Sequence, residues 1–215
     1  MSTRVKICGL RTVAALDAAL AAGADFVGFV LFPKSPRNVS VTEAQALVRH
    51  VRTDGRAQTV TLLVDRVATE IKPDFIQLHG HETPARAQEI RDRSGLPVLK
   101  AVPVSGAEEV DAAFSYLAPG GGADILMFDA KPPSDTAALP GGNGLAFDWH
   151  ILDGARDRAP FALAGGLTPE NVAAAIDLTG AAIVDVSSGV ESRPGEKDPE
   201  RIRRFLQAAK AAKQS

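Results

Sequence analysis

The sequence predicts a single-domain α/β fold, an eight-stranded parallel (β/α)8 barrel, and three observations lead there. Short apolar runs bounded by Gly, Pro or Asp alternate with Ala-rich helical patterns along the whole chain, the signature of repeated βα units. Eight such runs can be found. At 215 residues and 45% apolar content the chain can bury one sizeable core, and no Pro/Ser-rich linker divides it. Residues 1–215 are therefore read as one domain, near the lower end of this barrel's size range. An open doubly wound sheet is the structural alternative.

The strands are expected at Val5 to Gly9, Asp25 to Leu31, Thr59 to Val64, Phe75 to His79, Val98 to Val104, Ile125 to Asp129, Phe161 to Ala164 and Ile183 to Val186. Between them, Val13 to Ala22, Glu43 to Arg52, Pro84 to Arg93 and Pro169 to Asp177 space their apolar residues as amphipathic helices do, and Glu200 to Lys213 supplies a last helix. Thr42, Thr83 and Thr168 are the expected N-caps, and Asp148 reads as a cap of the sixth helix. The third unit is irregular. Too little chain separates its strand from the next for a usual crossover of about a dozen residues, so helix 3, within Arg66 to Lys72, is expected to be a single turn or absent.

Composition narrows the function. Lys and Arg total 24 against 26 Asp and Glu, a net charge of -2, which offers no broad basic surface to nucleic acid or an anionic membrane. The N-terminus has no signal-peptide core and no long apolar stretch follows, so a cytoplasmic protein with a small-molecule ligand is expected. The single cysteine, Cys8, cannot form an internal disulfide, and no His/Cys cluster has metal-ligand spacing; no metal is expected.

Polar residues stand where a barrel interior should be apolar. Strand side chains alternate between the helix layer and the axis. Val5 and Ile7 on one side leave Lys6 and Cys8 facing inward, and the same parity is read for Gln77, His79, Lys100, Asp129, Asp185 and Ser187. A charge buried without a partner is costly, so Lys6 and Lys100 facing Asp129 and Asp185 read as an ionic cluster at the C-terminal mouth, where barrel active sites lie; a purely structural network is the alternative. Gly165 and Gly166 follow strand seven, and Ser187, Ser188 and Gly189 follow strand eight. Small residues with accessible backbone N–H groups at these two loops point to phosphate binding.

These residues recur in longer strings: Lys6-Ile7-Cys8-Gly9-Leu10, Gly28-Phe29-Val30 with Pro33-Lys34-Ser35-Pro36-Arg37, Gln77-Leu78-His79-Gly80, Phe128-Asp129-Ala130-Lys131, Gly144 with Phe147-Asp148-Trp149, Ala164-Gly165-Gly166-Leu167, and Asp185-Val186-Ser187-Ser188-Gly189-Val190-Glu191. Their order and spacing from Arg4 to about Phe205 resemble the phosphoribosylanthranilate isomerase family. The resemblance implies a TIM barrel of the ribulose-phosphate-binding type and an Amadori rearrangement in tryptophan biosynthesis. It implies Cys8 as general base, Asp129 as general acid, Arg37 as the holder of the anthranilate carboxylate and Asp185 beside the substrate; Lys6 and His79 are expected to meet the substrate from their inward positions, and Gly144 to join the phosphate-binding glycines. No cofactor is expected, since proton transfers need none; a monomer or a homodimer is.

A thiol with an ordinary pKa of about 8.5 is a usable base if a neighbour such as Lys6 favours its thiolate. Each residue also has a plainer reading. A lone cysteine is ordinarily a small buried hydrophobe, Asp129 could cap the following turn, Arg37 could be a solvated loop cation, and His79 a satisfied core histidine. Rival enzymes with the same phosphate loops are an indole-glycerol-phosphate synthase-like lyase, expected to use a Lys/Glu set, and the histidine-pathway aminoaldose isomerase, expected to use an Asp pair. A barrel that binds phosphosugar without turnover is the rival from outside enzymes. The Lys131 to Gly144 loop, with its prolines, and the short third unit depart from the regular pattern.

Overall fold

A computed structural model describes residues 2–62, 68–131 and 147–212. Its first half runs β1 (Arg4–Cys8), α1 (Val13–Ala21), β2 (Phe26–Val30), α2 (Val41–Asp54), β3 (Gln58–Leu62), α3 (Ala68–Ile71), β4 (Phe75–Leu78), α4 (Pro84–Ser94), β5 (Val98–Val104) and α5 (Ala107–Ala113). The second half runs β6 (Ile125–Ala130), α6 (Ala155–Arg158), β7 (Phe161–Leu163), α7 (Val172–Thr179), β8 (Ile183–Val186), the short strands β9 (Glu191–Arg193) and β10 (Glu196–Lys197), and α8 (Pro199–Ala211). Strands β1 to β8 form a closed barrel in sequence order, and parallel pairing of β8 with β1, Asp185 opposite Lys6, seals it.

All eight expected strands are present, within a residue or two at the ends; Leu63 and Val64 lie outside the described residues. Helix 3 is the expected single turn, four residues long. Of the expected caps, Thr83 holds, its side chain accepting from the Arg86 N–H. Thr42 does not. Helix α2 starts earlier, at a capping box in which Ser40 accepts from the Glu43 N–H while the Glu43 carboxylate takes the Ser40 N–H. Thr168 caps the turn before α7, accepting from the Glu170 N–H, and the helix itself begins only at Val172. Asp148 accepts from the His150 N–H and starts a 3-10 turn, Trp149–Leu152.

Alternation along the strands creates two cores. The outward set, including Val5, Ile7, Phe29, Leu78, Leu126 and Phe128, packs against the helices. The inward set, with Phe26, Val60, Leu99, Met127, Ala162 and Ile183, fills the axis. Both faces of the parallel sheet are thereby covered by apolar side chains, as all-parallel sheets generally are.

The N-terminal face repeats one device that the sequence reading did not find. Asp25, Asp74 and Asp124 each immediately precede an even-numbered strand, and each carboxylate accepts the N–H of a residue at the start of the preceding strand, Val5, Thr59 and Val98, at 2.7 to 2.9 Å. The same three aspartates donate their own N–H groups to the carbonyls of those residues. The strand beginnings are thereby locked in register at the end of the barrel away from the mouth.

Candidate active site

At the C-terminal mouth the inward positions become polar, and their contacts form one chain. Lys6, fully buried on β1, donates to Asp185 Oδ1 on β8 and to Gln77 Oε1 on β4, both at 2.9 Å. Burial alone would favour its neutral amine, but the Asp185 carboxylate and the Cys8 sulfur outweigh that and hold the ammonium above the ordinary lysine range. Cys8, two residues along β1, is also buried. Burial pushes its thiol up; Lys6 and Lys197 oppose this, while Asp185 reinforces it. A bulkier residue than Gly28 on neighbouring β2 would crowd this pair, since an added Cβ would sit 3.0 Å from the Cys8 sulfur and 3.3 Å from Lys6 Cε.

Asp129 lies across the mouth, near the end of β6. Its Oδ1 accepts the Ala130 N–H at 2.8 Å, and its Oδ2 lies 3.1 Å from His79 Nε2. His79 Nδ1 in turn faces Gln77 Nε2 at 3.4 Å. Cys8, Lys6, Gln77, His79 and Asp129, from β1, β4, the residue that follows β4 and β6, thus line one continuous polar path around the axis.

Lys100 is not part of it. The expected inward lysine pairs in register with Leu126 and Leu78, both facing the helices. Its ammonium donates to the Gly80 carbonyl and to Glu82, each at 2.8 Å, above the Tyr116 ring. Leu99 and Ala101 take the axial positions instead. Strand β5 is apolar on both faces, so alternation carries no signal there. The expected Lys100 partnership with Asp129 or Asp185 is accordingly replaced by Glu82 on the outside, and His79 takes the place at Asp129.

Arg37, in the loop after β2, is buried and gripped by Glu191, with Nε to Oε1 at 2.7 Å and Nη2 to Oε2 at 2.9 Å. This two-pronged geometry fixes the guanidinium plane. Lys197 on β10 also holds Glu191, at 2.7 Å, and donates to the Ser187 carbonyl. Although burial would raise the Glu191 carboxyl, Arg37 and Lys197 hold it below the ordinary carboxylate range. Sequence reading quoted Glu191 within a motif but gave it no role, and missed Lys197 and the antiparallel β9–β10 hairpin altogether. The available signal was Arg37 itself, a cation at a barrel mouth that needs an anion.

The two loops expected to hold phosphate touch each other. A Cβ on Gly189 would stand 1.9 Å from the Leu167 carbonyl oxygen, so only glycine permits this approach. Gly165 and Gly166 are both left-handed, with φ +87° and +63°. Gly165 abuts the end of β6, where an added Cβ would lie 2.6 Å from the Ala130 nitrogen and 3.0 Å from Asp129 Oδ1. The Ser187 hydroxyl donates to the Cys8 carbonyl at 3.2 Å, and Ser188 opens a 3-10 turn, Ser188–Val190. Gly144 lies outside the described residues. Among the described residues there is no group of three or more His, Cys, Asp or Glu able to hold a metal, and no helix is long and apolar enough to cross a membrane.

A family model described as N-(5'-phosphoribosyl)anthranilate (PRA) isomerase matches residues 5–208. The chain belongs to this family. A relative from Paracoccus denitrificans, N-(5'-phosphoribosyl)anthranilate isomerase, is 54% identical over 98% of this chain and 99% of its own length. The namesake from Paramagnetospirillum magneticum is 51% identical over 99% of this chain and its full length. Among solved structures, the phosphoribosylanthranilate isomerase of Thermotoga maritima superposes with a TM-score of 0.84 at 35% identity, covering 97% of this chain and 98% of that one. A crystal structure of this enzyme type in complex with reduced 1-(o-carboxyphenylamino)-1-deoxyribulose 5-phosphate superposes with a TM-score of 0.81 at 34% identity, with the same coverage.

Proposed function

We propose that Cys8 and Asp129 are the base and acid with which this phosphoribosylanthranilate isomerase carries out its step of tryptophan biosynthesis. The reaction is the Amadori rearrangement of N-(5-phosphoribosyl)anthranilate to 1-(o-carboxyphenylamino)-1-deoxyribulose 5-phosphate. One observation carries the assignment: a buried thiol ending β1 and a buried carboxyl near the end of β6 stand on the axial side of their strands, in step with Lys6 and Met127, beside two glycine-bearing loops suited to a phosphate. Asp129 gives its proton to the ribose ring oxygen as the C1–O bond breaks, leaving an iminium. The Cys8 thiolate then takes the proton from C2, giving an enolamine that tautomerises to the ketone. At the end the thiol has gained one proton and the carboxylate has lost one, so total charge on the pair is unchanged.

Arg37, its plane set by Glu191, is suited to the anthranilate carboxylate, while the Lys6–Asp185 pair lies beside the sugar carbons. The backbone N–H groups around Gly165, Gly166, Ser188 and Gly189, with Gly144, bind the phosphate. The same reading places the enzyme in the cytoplasm as a monomer or homodimer; sedimentation equilibrium of the purified protein distinguishes these. The decisive assay supplies phosphoribosylanthranilate and follows loss of its fluorescence. Cys8→Ser and Asp129→Asn are each expected to lower kcat by at least about a hundredfold, and turnover near the parent rate in either variant rejects that residue's role.

A further inference from the structure

We infer that Gln77 is a positioning residue: it locks His79 as the Nε2–H tautomer, so that His79 can only donate to Asp129 and never accept its proton. This rests on the reading of Asp129 as the acid, and it follows from the direction of each bond. The Lys6 ammonium has donors and no acceptor, so the atom of Gln77 that meets it at 2.9 Å is the carbonyl oxygen. The amide NH2 therefore points the other way, towards His79 Nδ1 at 3.4 Å and the Met127 sulfur at 3.7 Å. A nitrogen facing an NH2 group must offer its lone pair. The ring hydrogen then sits on Nε2, 3.1 Å from Asp129 Oδ2.

The chain Lys6→Gln77→His79→Asp129 thus runs one way, from the base side to the acid side. Its chemical consequence lies in the first proton transfer. When Asp129 passes its proton to the ring oxygen, the carboxylate left behind is received by the His79 N–H on Oδ2 and the Ala130 N–H on Oδ1. With the opposite tautomer, Nε2 would present a lone pair to the acid and compete with the sugar for the proton. Donors fixed in advance at the site of developing charge favour the transition state without reorganisation. The Lys6–Asp185 ion pair therefore acts at a distance, by orienting an amide.

The test uses uniformly 15N-histidine-labelled protein, whose four histidines allow the His79 ring to be assigned by comparison with His79→Gln. At the pH of maximal turnover the intact enzyme is expected to show His79 protonated on Nε2 alone. Gln77→Glu reverses the chain, because a carboxylate accepts from both Lys6 and the ring. His79 should then carry a proton on Nδ1, and kcat should fall about 10- to 100-fold with little change in KM. Gln77→Met, which removes donor and acceptor together, should give a mixture of tautomers and an intermediate fall in kcat. A His79 protonated on Nδ1, or on both nitrogens, in the intact enzyme overturns the inference whether or not either variant folds. So does a tautomer change in Gln77→Glu with kcat unaltered. Failure of the underlying reading looks different: Asp129→Asn would then retain the parent rate whatever the His79 spectrum shows.

Discussion

At the scale of single residues the site is governed by how burial and fixed charges divide the work around Cys8. Burial holds the thiol above its ordinary range, with Asp185 adding to the push and Lys6 opposing it, so the neutral thiol predominates at neutral pH and the thiolate grows as pH rises. kcat/KM, which reports the free enzyme, should climb through the alkaline range. Asp185→Asn removes one anion from the thiol's surroundings and should move that rising limb to lower pH; a pH–rate profile that stays put, or moves the other way, refutes the electrostatic account. Glu191→Gln tests the Arg37 grip: losing charged hydrogen bonds worth about 1.5–3 kcal/mol should raise KM about 10- to 100-fold while changing kcat less, as steady-state kinetics will show. Legibility at this scale followed local contrast. Lys6, Cys8, Asp129 and Asp185 stand out as polar residues in apolar runs. Lys100 does as well, but both faces of its strand are buried, and nothing local says which way it points. The partnership of Arg37 with Glu191 spans 154 positions, and no spacing rule reaches that far.

Secondary-structure elements were more readable than their ends. Strands announced themselves as apolar runs and helices by their periodicity, whereas α2 begins at Val41 because Ser40 and Glu43 cap each other, a reciprocal contact that competes with the equally good cap residue Thr42. The aspartate device escaped notice because its repeat is two βα units long and one residue wide. It supports a stability prediction: Asp74→Ala strips the acceptor from both the Thr59 N–H and its hydroxyl. The cost should be about 1–3 kcal/mol, measured by urea unfolding, with kcat close to the parent value because the N-terminal face is remote from the mouth. Gly165→Ala should affect both stability and rate. A left-handed backbone costs a non-glycine residue about 1–2 kcal/mol, and the new methyl must displace the Asp129–Ala130 segment; the rate should drop by more than the stability loss explains, and kcat set beside unfolding data separates the two.

Across the whole molecule, α8 closes the assembly by burying Ile202, Phe205, Leu206 and Ala209, with Phe205 completely enclosed. Phe205→Ala should cost about 3–5 kcal/mol, read as a lowered denaturation midpoint. The overall architecture was legible because eight alternating units within 215 residues leave few ways to cover so many apolar strand faces; the β9–β10 hairpin was not, since its strands span three and two residues and have no periodicity to detect. The union of Lys6 with Asp185 across the β1–β8 seam has a further bearing on how the enzyme comes into being. A nascent chain must carry that lysine for 179 residues before its counter-ion is synthesised, and contacts so distant in sequence form late. Catalytic power should consequently return in one late phase during refolding, after helical circular dichroism has recovered, and a ring with seven staves assembled should turn over nothing.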